Sequence, residues 1–104
     1  KAEYEALAKA NENSWRILFS IANVFSYNEY FKEAIQMWQK TFDCMPKPRY
    51  TDSFEAMAQC CVRMGDHESA VEYYKKELEL LREDWGLKYG AEVDALEEKI
   101  RALQ

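Results

Sequence analysis

Ala34 and Ala70 stand 36 residues apart, and the residues around them repeat one pattern. In the second copy, Phe54, Met57, Ala58 and Cys61 fall at i, i+3, i+4 and i+7, the spacing of one helical face. Gly65-Asp66 interrupts that spacing. Glycine readily takes the positive φ that ends a helix, and aspartate caps the helix that follows. Ala70, Tyr73, Tyr74, Glu77, Leu78 and Leu81 then resume it. In the first copy, Leu18, Ile21, Ala22 and Phe25 precede an Asn28-Glu29 turn, and Ala34, Ile35, Trp38, Thr41 and Phe42 follow as the inward residues of a return helix. The small alanines let paired helices approach while larger neighbours fill the space around them. The expected fold class is therefore all-α, built of antiparallel helix-turn-helix pairs.

A helix, a tight turn and a second helix in roughly 34 residues resembles the tetratricopeptide repeat. In residues 51–82 the family's conserved places correspond to Phe54, Met57-Ala58, Cys61, Gly65-Asp66, Ala70 and Tyr74. The closing proline is missing, with Arg82 near its place. In residues 15–46 they correspond to Leu18, Ile21-Ala22, Phe25, Ala34 and Trp38, and here Pro46 supplies the closing proline. This copy departs at the turn, where Asn28-Glu29 replaces the glycine and Asn28 is expected to tolerate the left-handed conformation. The resemblance implies a short right-handed superhelical solenoid.

Residues 1–13 and 86–104 flank the two copies. Ala2, Tyr4, Ala6, Leu7 and Ala10 read either as the closing half of a preceding repeat or as an N-terminal helix lying on the first hairpin. Fewer than three repeats rarely fold alone, so the chain is expected to be part of a larger polypeptide. Asn13-Ser14 should cap the first helix of the first copy, Thr51 or Asp52 that of the second, and Asp66 or Ser69 the return helix, which should run to about Glu83. Trp85, Tyr89, Val93, Leu96, Ile100 and Leu103 form a single apolar stripe in the tail, with Gly86 and Gly90 weakening its beginning, so a break near Trp85–Gly90 is expected. It reads as a C-terminal capping helix. The heptad-like spacing also permits pairing with a second copy of the chain, which would make a homodimer.

Composition narrows the functions. A net charge of −5 argues against nucleic acid as the main partner, because phosphate binding needs a basic face. The sequence has no run of 18 apolar residues that would span a membrane, and it opens on no leader of the secretory kind. Cys44, Cys60 and Cys61 have neither the number of a disulfide framework nor the spacing of a zinc site, and reduced cysteines point to the cytoplasm or the nucleus. The single histidine, His67, has no nucleophile or phosphate loop to work with and is expected to pack at a turn. No enzyme activity, metal or cofactor is expected.

What remains is a binding scaffold. In the family the first helix of each pair lines the concave surface. The groove positions are then Arg16, Phe19, Ser20, Asn23 and Tyr27 in the first copy and Glu55, Gln59 and Arg63 in the second. Asn23 holds the place from which many relatives bond a peptide backbone. Phe19 and Gln59 stand where the relatives that clamp chaperone tails carry lysine and a second asparagine, so that ligand is not expected. The expected function is an adaptor holding a peptide or helix of a partner protein. The alternative is a structural segment of a longer solenoid that self-associates through its last helix.

Overall fold

The computed structural model describes residues 1–104 and contains six α-helices and no strand. They fall into two compact units, Lys1–Pro46 and Lys47–Gln104.

The first unit holds α1 (Ala2–Ala10), α2 (Trp15–Tyr27) and α3 (Phe31–Cys44). α1 ends where the Asn11 side-chain amide donates to the Leu7 carbonyl at 2.8 Å. α2 starts at Ser14, whose hydroxyl oxygen accepts the Ile17 N–H at 3.4 Å. Leu18, Ile21, Ala22 and Phe25 of α2 face Ala34, Met37, Trp38 and Thr41 of α3, and all eight are buried. The i, i+3, i+4, i+7 spacing thus buries the stripe the sequence marks. Ile35 and Phe42, expected inside, are only half-buried, and Met37 takes the inner place one position beyond Gln36. α1 docks through buried Ala8 and through Tyr4, whose ring stands edge-on to Phe25 at 6.3 Å. A Lys1–Glu33 ion pair ties its start to α3.

The second unit holds α4 (Asp52–Arg63), α5 (His67–Trp85) and α6 (Ala91–Leu103). Asp66 caps α5, its carboxylate accepting the Ser69 N–H at 3.1 Å. Met57, Ala58 and Cys61 of α4 and Ala70, Tyr74 and Leu81 of α5 are buried. Cys60 is buried beside Cys61. Burial pushes the Cys61 thiol up to about 11, so it holds its proton at neutral pH.

The two interhelical turns close with the same bonds. In the first, the Tyr30 N–H reaches the Phe25 carbonyl at 2.8 Å and the Glu29 N–H reaches Ser26 at 3.0 Å. In the second, Asp66 reaches Cys61 at 2.8 Å and Gly65 reaches Val62 at 3.0 Å. Both follow the Schellman pattern, which needs one left-handed residue. Gly65 fills that place at φ 79°. In the first turn Glu29 fills it at φ 64°, not Asn28, which stays at φ −90° and donates its side-chain amide to the Val24 carbonyl at 2.8 Å. The asparagine is used as a side-chain cap, so the strain passes to its neighbour.

The tail breaks between Trp85 and Ala91, where its two glycines predict. α5 runs on to Trp85, closed by Gly86 at φ 67°, and α6 starts only at Ala91, after Gly90 at φ 125°. Neither angle continues a helix, and the second belongs almost solely to glycine. Trp85 therefore ends α5, and Tyr89 lies in the connector, 82% exposed. Val93, Leu96 and Ile100 of α6 are buried as it runs back along α5. No helix is long and apolar enough to cross a membrane.

Candidate partner-binding surfaces

Arg16, Ser20, Asn23 and Tyr27 follow one another at steps of four, three and four residues, so they form one stripe on α2. All four are exposed, Tyr27 to 87%. Opposite Leu18 and Ile21, this stripe is the wet side of an amphipathic helix. Phe19, expected to face the groove, is not part of this open stripe. It is half-buried, and its ring stands edge-on to Trp38 at 6.3 Å.

Beside the stripe lies a hollow of about 360 Å³ between α1 and α2, lined by Tyr4, Leu7, Arg16, Ile17, Ser20, Ile21 and Val24. Its walls are almost wholly apolar, and Arg16 supplies the only charge. The Arg16 guanidinium lies 4.9 Å from the centre of the Trp15 ring, which restrains it at the mouth. Arg16 and Ser20 were singled out by the sequence pattern alone. Tyr4 and Leu7 were not, because the first helix carries no marker of which side stays open.

In the second unit the structure gathers Glu55, Gln59 and a residue the sequence did not single out, Lys99. The Gln59 amide donates to the Glu55 carboxylate at 3.4 Å, and the Lys99 ammonium approaches the same oxygen at 3.5 Å. Lys99 also sits 5.6 Å from the Tyr74 ring centre. The α4 face is thus partly engaged by α6, and Glu55 is not an open acid. Both side chains are partly exposed, so water screens the pair and it contributes little stability. Arg63 is exposed at the far end of α4.

Glu77 of α5 is also absent from the sequence reading as a special group. It is 3% exposed and its Oε1 has no hydrogen-bond partner. Burial, reinforced by the negative charges of Glu55, Glu92 and Asp52 and opposed by Lys99, pushes its carboxyl up to about 7. His67 is exposed at the first turn of α5. No cluster of three or more histidine, cysteine or acidic side chains is placed to hold a metal ion. No protein-family model matches the chain, and no curated protein matches it.

Proposed function

We propose that the chain is a segment of a tetratricopeptide-type array, a right-handed solenoid of helical hairpins closed by α6 as a cap. In this reading it works without catalysis, in the cytoplasm or the nucleus, as an adaptor that holds a segment of a partner protein. The repeat reading is supported by the two turns, which share their backbone bonds at positions 36 residues apart. The binding reading rests on one observation, the apolar hollow between α1 and α2 beside the exposed stripe Arg16, Ser20, Asn23 and Tyr27. Apolar anchors set in such hollows, with tyrosine and arginine at the edge, are where interfaces concentrate their energy. The chemistry fits an amphipathic helix or extended segment whose apolar side chains enter the hollow. An acidic residue of that segment would meet Arg16, and its backbone would meet Asn23. Self-association through α6 is less well supported, because Val93, Leu96 and Ile100 are already buried within a single chain.

The test is capture of a partner by the chain carrying Leu7→Asp with Ser20→Asp. Leu7 is 46% exposed and Ser20 is exposed, so the fold should survive with an unchanged melt. Two charges in the hollow should abolish capture of whatever the wild type holds. Undiminished capture by a folded double variant would remove the hollow as the site.

A further inference from the structure

The second unit contains a different pocket. Arg49 folds back on the end of α5, where its guanidinium meets both oxygens of Asp84 at 2.8 and 3.0 Å and its backbone N–H donates to the same carboxylate at 2.9 Å. The Trp85 indole N–H donates to the Arg49 carbonyl at 2.6 Å. These bonds fix the segment before α4 against α5 and bring the Tyr50 and Trp85 rings together, their centres 6.2 Å apart. Each ring is nevertheless about half exposed, 48% and 47%. Beside them opens a cavity of about 380 Å³ lined by Tyr50, Asp52, Leu81, Trp85, Leu87 and Glu92, together with Thr51.

We infer that this pocket binds the side chain of a lysine presented by a basic segment of a partner protein. The inference stands apart from the hollow in the first unit. Leu81 and Leu87 can cover the methylene stem of a lysine, and the tryptophan and tyrosine rings attract its ammonium. Asp52 and Glu92 sit in the first turns of α4 and α6 and supply two full negative charges. Each helix start contributes only about half a positive charge in return, so the mouth stays negative. No lysine or arginine lines the cavity, and the nearby Arg49 is already neutralised by Asp84. Lys99, which reaches α4 from α6, is held on Glu55 and Tyr74.

A compact charge on a long apolar stem suits a pocket with rings on one side and carboxylates at its mouth.

The experiment titrates the full chain with the peptide acetyl-Gly-Gly-Lys-Gly-Gly-amide and with its norleucine counterpart. The Trp85 indole N–H is followed by NMR, identified by its loss in Trp85→Phe. The lysine peptide should shift that signal saturably, and added salt should weaken the effect. The norleucine peptide should leave it in place. The double variant Asp52→Asn with Glu92→Gln, altered only at exposed positions, should fold normally and bind the lysine peptide at least fivefold more weakly. Equal shifts with norleucine, or unchanged affinity in the folded double variant, would overturn the assignment. Neither result bears on the hollow of the first unit.

Discussion

Glu29 holds the left-handed backbone angle that Gly65 holds in the second turn, and the two positions make opposite predictions. A side chain at positive φ costs on the order of 1 kcal/mol, part of which is offset because glycine loses more freedom on folding. Glu29→Gly should therefore stabilise the chain by about 0.5 kcal/mol. Gly65→Ala should destabilise it by about 1 kcal/mol, since a Cβ there meets no atom within 4 Å and only the backbone strain counts. Urea melts of the two variants check this, and a destabilising Glu29→Gly would mean that the turn is not strained. Glu77 carries a second prediction at this scale. Its carboxyl holds a proton to about pH 7 in the folded chain but releases it near 4.5 when unfolded. The folded state therefore binds the extra proton between these values, and stability attributable to Glu77 falls as pH rises from about 4.5 through 7. Glu77→Gln should match the wild type near pH 4 and exceed it by on the order of 2–3 kcal/mol at pH 8. A constant difference between the two proteins across that range would show that Glu77 is solvated.

At the scale of elements, α6 is held by few contacts of high value. Val93 and Leu78 of α5 line one cavity of about 160 Å³, and Leu103 and Val71 line another of about 420 Å³, so α6 runs antiparallel to α5. Leu96, 3% exposed between them, should cost about 2–4 kcal/mol when changed to alanine, while Glu98→Ala on the wet side should change little. Equal, small effects on the melt would mean that α6 does not dock in solution. The helices themselves were legible because their apolar residues recur with the right period and Ser14 and Asp66 mark two of their starts. The break before α6 was legible from Gly86 and Gly90, although Trp85 and Tyr89 happen to continue the apolar period. Only the positive φ values at Gly86 and Gly90 remove them from it. Of the hollow only Arg16 and Ser20 were marked in the sequence, and the Tyr50–Trp85 pocket was not legible at all. Each depends on contacts between residues far apart in sequence, such as Arg49 with Asp84, and no local pattern encodes them.

At the scale of the whole molecule, the chain carries two chemically different hollows, one in each unit, on an all-helical scaffold of net charge −5. The first unit presents an apolar hollow with one arginine at its edge, and the second an aromatic pocket with an acidic mouth. The central claim is that the exposed face of α2 holds a partner segment. Site-specific photo-crosslinking tests it most directly, with a benzophenone side chain placed at Tyr27 or Ser20 of α2 and, as the control, at exposed Gln36 of α3. The account predicts one discrete adduct from both α2 positions, lost when Leu7→Asp is added, and none from position 36. The same adduct from position 36, or none from positions 20 and 27 in a chain that still captures its partner, would contradict it.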